Sequence, residues 1–152
     1  DYIGVPHHQR WVNNKKFDGG QLSEDEKSLR DFYKRLLNFT ITSEALMGDY
    51  QEIHFYNKDN TENYDHRVLS YVRWSENEKL IVVSNFDSDK NYSFDLKLPQ
   101  DIISKWNLKD SEHKLVEELY GKKNKKLNVN DGVGVIPIEL QPLESVIFSV
   151  EQ

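Results

Sequence analysis

The chain has 152 residues, enough for one domain with a real core, and its 26 acidic residues against 20 basic ones give a formal net charge of −6. That balance argues against a nucleic-acid partner, and the absence of cysteine removes disulfides and thiolate metal sites without fixing a compartment. No apolar run approaches the roughly 20 residues that a membrane-spanning helix needs, so no membrane partner is expected.

The chain opens "DYIGVPHHQRW", with no initiator Met, no basic n-region and no apolar h-region, and is expected to be a cut inside a longer polypeptide. Residues 1–21 show no periodicity and close on a turn at Asp18–Gly20, so they read as a connecting segment. A helix is predicted over 22–38. Ser23 and Glu26 form a capping box at its start, and Glu24 and Asp25 add negative charge at the positive end of its dipole. Leu29, Phe32, Tyr33, Leu36 and Leu37 fall on one stripe at spacings of three and four. Covering them would contribute at most about 8–12 kcal/mol, so the helix needs a partner surface. "FTIT" (39–42) turns to β-branched residues, and "SEALMG" reads as a further helical turn closed by Gly48.

From Tyr50 onward, eight short strand-like segments alternate with Asn-, Asp-, Gly- and Ser-rich breaks. They are 50–56, 67–74, 79–86, 92–98, 114–120, 126–129, 135–140 and 145–150, with a helical turn expected over 101–108. This pattern predicts a mainly β fold, an antiparallel sandwich or barrel preceded by one amphipathic helix. "LIVV" (80–83) is apolar at every position, so both faces of that strand are expected to be covered, by the helix, by loops or by a neighbouring domain.

Candidate chemistry is sparse. Glu117 and Glu118 are adjacent on a predicted strand and point to opposite faces, so they cannot flank one glycosidic bond. "DSDKNYSFDLKL" starts like a calcium loop at Asp87, Asp89 and Asn91 but has Tyr92 and Leu98 where Gly and Glu are required; "NKDNTENYD" (57–65) fails similarly. His7, His8, His54, His66 and His113 lack metal-ligand spacing, and neither a metal nor a cofactor is expected. "GKKNKKLN" (121–128) reads as a solvated hairpin tip, and the sequons at Asn38 and Asn91 are near chance frequency. Because sugar rings stack on flat side chains, Trp74 and Tyr64 are the candidate carbohydrate-binding residues; packing is the commoner role of both types.

The order "LRDFYKRLLNFTITSEALMGDY", "VLSYVRW", "KLIVVSNF" and "PLESVIFSV" resembles the C-terminal stretch of the α-amylase family, glycoside hydrolase family 13. The resemblance covers about residues 22–150. It implies that residues 1–48 are a connecting segment with the last helix of a (β/α)8 barrel, and 49–152 an all-β Greek-key sandwich of about eight strands. The five-residue stripe would then lie against that barrel, the expected partner, with an α-glucan as a possible ligand. The family's catalytic carboxylates belong to earlier barrel strands, and none of their motifs occurs here, so no catalytic residue is carried over and the chain alone is expected to be inert. Family biology leans to a periplasmic or secreted location.

Overall fold

The computed structural model describes residues 22–121 and 124–151, which divide into two units between Ile41 and Thr42. The expected connecting segment 1–21, its turn at Asp18–Gly20, and His7 and His8 lie outside the described residues.

The first unit contains all but the last residue of helix α1, Glu24–Thr42. Its capping box is reciprocal: the Glu26 N–H donates to Ser23 Oγ at 3.2 Å, and the Ser23 N–H donates to Glu26 Oε2 at 2.8 Å. The helix runs four residues past Asn38. There the Thr40 hydroxyl donates back to the Leu37 carbonyl at 2.9 Å, one way a β-branched residue is accommodated in a helix. No side chain of α1 is buried. Leu29 and Leu37 are 56% and 58% exposed, Tyr33 is also exposed, and Phe32 and Leu36 are half-buried.

The second unit is mainly β. It opens with a single 3-10 turn, Ala45–Met47, closed by Gly48. Gly48 has a negative φ, so it is not a left-handed cap; a Cβ there would sit 2.0 Å from the Trp74 carbonyl oxygen, and glycine is required by that close approach. Then follow β1 (Asp49–Glu52), α2 (His54–Asn60), β2 (Val68–Trp74), β3 (Lys79–Asn85), β4 (Tyr92–Leu98), α3 (Gln100–Lys105), β5 (Glu112–Glu117), β6 (Lys125–Asn130), β7 (Val133–Leu140) and β8 (Ser145–Val150).

Among the described residues all eight strands pair antiparallel in the order β1-β2-β3-β8-β5-β6-β7-β4. The eight strands thus form one continuous ladder curled around a single core, in keeping with the mainly β antiparallel fold that the strand pattern predicts. Strands β5, β6 and β7 follow one another as neighbours while β4 lies beside β7, which is a Greek key read against the chain direction. The β6–β7 hairpin turns through Asp131 and Gly132, both at positive φ, as a two-residue type I′ turn requires. The Asp110 carboxylate accepts both of their N–H groups, at 3.1 and 3.2 Å.

Core packing follows strand parity. Val68, Val72, Ile81, Val83, Leu96, Leu115, Leu127, Ile136 and Phe148 gather in one buried cluster. Leu80 and Val82 point the other way and are buried too, so both faces of β3 are covered, as its unbroken apolar run requires.

One predicted strand is half wrong. Segment 50–56 is extended only to Glu52, and the chain then enters α2. The buried stripe of that region is Ile53, Asn57 and Thr61, spaced by four, and its middle member is polar, so hydrophobic periodicity does not see it. Asn57 replaces a missing strand. Its Oδ1 accepts the Lys97 N–H at 2.7 Å and its Nδ2 donates to the Lys97 carbonyl at 2.9 Å, pairing with the edge of β4 as a neighbouring backbone would.

Candidate functional site

Tyr64 and Trp74 are not brought together. Tyr64 precedes β2 and Trp74 ends it, so most of a strand length separates them. Tyr64 is only 8% exposed; its ring meets Phe94 edge-on at 5.1 Å, and its hydroxyl lies 2.8 Å from Ser70 Oγ. Burial pushes its pKa up to about 12. A ring held this way packs the core and does not offer a flat face for stacking, which corrects its reading as half of a surface platform.

Trp74 stands differently. It shares strand parity with Val68, Ser70 and Val72, yet at the end of β2 it is half-buried and packs on the rim of the core. Its indole meets that of Trp106 edge-on at 6.3 Å, and Lys105 Nζ lies 5.8 Å from its ring centroid. Both residues come from the end of α3, which the β4–β5 crossover carries to this point. An open groove of about 800 Å³ runs past Trp74, floored by Gly48 and Asp49 and bordered by Ser75, Lys105 and Asn107. It continues toward Tyr50 and Gln51 on the free edge strand β1.

Beside the indole is a polar network. Gln51 Nε2 donates to Asp101 Oδ2 at 2.7 Å, and Lys105 Nζ donates to Gln51 Oε1 at 2.7 Å and to the same carboxylate oxygen at 3.3 Å. Desolvation alone would raise the Asp101 pKa, but the Gln51 and Lys105 hydrogen bonds outweigh it and hold the group below its ordinary value. A charged carboxylate can accept from a hydroxyl but is poorly suited to protonating a leaving group. The groove thus sets an aromatic surface beside the Gln51 amide and the Lys105 ammonium, both bonded to the Asp101 carboxylate. Only Trp74 is singled out by the sequence reading; Asp101 and Lys105 share helix α3 at a spacing of four, which a helical pair would show, but that Gln51 of β1 joins them beside Trp74 is not written in any local pattern.

The acidic loop after β3 is used internally. Asp87 is 3% exposed. Its Oδ1 accepts the N–H groups of Asp89 and Lys90, and its Oδ2 takes the Tyr92 hydroxyl at 3.0 Å and Arg67 Nη1 at 2.8 Å. The Asp89 N–H is the main cause of its lowered pKa, followed, against desolvation, by the Tyr92, Lys90 and Arg67 contacts. A carboxyl whose folded pKa lies below its ordinary 3.8 contributes stability that is complete above that pH and is lost as pH falls through the folded value. Asp87→Asn should therefore flatten the acid limb of the stability–pH curve below pH 3.8, leaving the residual slope that Asp65 and Asp101, also lowered, still supply. Urea unfolding from pH 2 to pH 6, about the range over which such carboxylates titrate, reads this directly; parallel curves for the two proteins would refute it.

Among the described residues no three His, Asp or Glu side chains are grouped to hold a metal. Glu117 ends β5 and turns inward, while Glu118 bonds Ser149 Oγ. The two do not face a common cleft.

A family model described as the α-amylase C-terminal all-β domain matches residues 59–151. Among solved structures, AmyP in a variant complexed with maltotriose is 19% identical at a TM-score of 0.59, covering 91% of this chain and 24% of that one. An Anoxybacillus α-amylase is 16% identical at 0.53, covering 88% and 25%. The Geobacillus thermoleovorans α-amylase complexed with acarbose is 11% identical at 0.56, covering 96% and 28%. At these identities the likeness is one of fold, and the chain spans about a quarter of the length of each enzyme. No curated protein sequence matches it.

Proposed function

The chain belongs to the α-amylase C-terminal all-β domain family, and from that membership we propose that it is the non-catalytic C-terminal part of a family 13 glycoside hydrolase acting on α-glucans. The family match over 59–151 carries this reading. Two further features support it: the resemblance places the catalytic motifs outside this sequence, and the apolar stripe Leu29, Phe32, Tyr33, Leu36 and Leu37 has no buried member. On this reading the stripe lies against the (β/α)8 barrel and braces it.

One comparison tests it, with this chain beside the full-length polypeptide. The chain alone should release no reducing ends from malto-oligosaccharides, and turnover that survives removal of contaminating amylase would overturn the proposal. Leu29→Asp with Leu37→Asp should lower the melting temperature of the full-length enzyme while changing this chain little, because both side chains are already more than half exposed here. Equal losses in both proteins would assign the stripe to the chain's own packing.

The Trp74 groove favours a second role, α-glucan binding at a point that does no chemistry. In a starch-containing native gel the chain should be retarded, and Trp74→Ala should abolish the retardation. Because Trp74 also packs on the core, Gln51→Ala is the companion change, expected to weaken retardation without altering the fold. Unchanged mobility of the parent chain with and without starch would dismiss this role.

A further inference from the structure

The free edge of β4 has a direction that Asn57 reveals. A strand residue presents its N–H and C=O on the same side, and successive residues alternate. Both main-chain groups of Lys97 bond the Asn57 side chain, so Lys97 faces away from β7, and Asp95 and Ser93 must face the same way. Neither has a main-chain partner on that side among the described residues. Beside them lies a groove of about 410 Å³, walled opposite β4 by Thr61, Glu62 and Asn63. Asn63 holds this wall with φ at +61°, a left-handed turn conformation that asparagine tolerates.

We propose that the Ser93–Asp95 edge of β4 takes up a short, extended, basic peptide segment by strand addition, continuing past Lys97 the pairing that Asn57 imitates. Backbone pairing would supply the attachment and the groove walls the selectivity. Charge decides the occupant. The groove presents the carboxylates of Glu62, Asp95 and Glu139, all exposed, against a single cation, and Lys97 Nζ is already engaged by the Asn60 carbonyl. Lysine or arginine side chains at alternate positions of an added strand meet those carboxylates. A second copy of the chain is the poorer occupant. Two β4 edges would have to approach across the 61–63 wall, and the register that sets Asp95 opposite itself opposes like charges. A single strand with no domain behind it fits the space.

The test is an NMR titration of the labelled chain with the acetylated and amidated pentapeptide Lys-Thr-Lys-Thr-Lys. Shifts should concentrate at the Ser93 and Asp95 amides and weaken as salt is raised. Asp95→Lys, an exposed change that should leave the unfolding midpoint intact, is expected to weaken binding about tenfold, and a central proline in the peptide should remove it. The proposal fails if those amides do not move at millimolar peptide, or if a Glu-Thr counterpart binds equally well. It fails too if maltoheptaose moves the same amides, or if sedimentation shows a dimer that Asp95→Lys dissociates. None of these outcomes bears on the glycoside hydrolase reading.

Discussion

Asn57→Leu should cost the β unit about 4 kcal/mol, the largest single loss expected from any polar residue in it. Asn57 is completely buried, and its amide uses its full hydrogen-bonding capacity. Nδ2 donates to the Ile53 and Lys97 carbonyls, while Oδ1 accepts from the Lys97 N–H and, at 2.8 Å, from the Thr61 hydroxyl. Leucine has the same branched shape, with bulkier methyl groups, and satisfies none of these groups. The Ile53 carbonyl keeps the Asn57 main-chain N–H at 3.1 Å, so its loss is small. Both main-chain groups of Lys97 and the Thr61 hydroxyl are stripped, and about 1–3 kcal/mol for each buried group left unpaired sets the total. Urea unfolding should show a lower midpoint at an unchanged slope, and the Lys97 amide should exchange with solvent ahead of the β7-facing Phe94 and Leu96 amides. A loss below about 1 kcal/mol, or unaltered exchange at Lys97, would mean that α2 is held to the sheet by other contacts.

Glu117→Ala should cost about 3 kcal/mol by a related mechanism. Only 2% exposed, the Glu117 carboxyl accepts three main-chain N–H groups: Leu119 at 3.0 Å, Tyr120 at 2.6 Å and Gly121 at 2.9 Å. These are the donors of the turn by which the chain leaves β5, and Gly121 completes it at a φ of +62°. Alanine removes their acceptor and leaves unfilled volume beside Leu119. At roughly 4 °C per kcal/mol for a domain slightly above about 100 residues, the melting temperature should fall by about ten degrees. A fall of less than about three degrees would show that water takes over the turn at little cost.

These two residues mark where the sequence stops being legible. "EE" at 117–118 suggested a strand with side chains on opposite faces, because alternation is a property of the strand alone. That Glu117 ends its strand and folds back on the following turn depends on the path of the chain beyond it. Tyr64 differs in kind: a tyrosine in an acidic loop offers the same local signal whether its ring stacks on a ligand or fills a core, and the neighbours that decided the matter, Phe94 and Ser70, lie on β4 and β2.

From the sequence alone came the capping box of α1, the apolar stripe, most of the strand segments, the doubly buried centre of β3 and, by resemblance, the family. Each is written within a few consecutive residues, because helix caps, side-chain periodicity and turn chemistry act over that range. The tertiary structure decided that the strands share one ladder, that Asn57 stands in for a strand beside Lys97, and that the network of Gln51, Asp101 and Lys105 meets Trp74 through Lys105 while Tyr64 is sealed away. Those outcomes depend on which distant segments meet, and a buried hydrogen bond or a groove exists only once chain closure has brought its parts together.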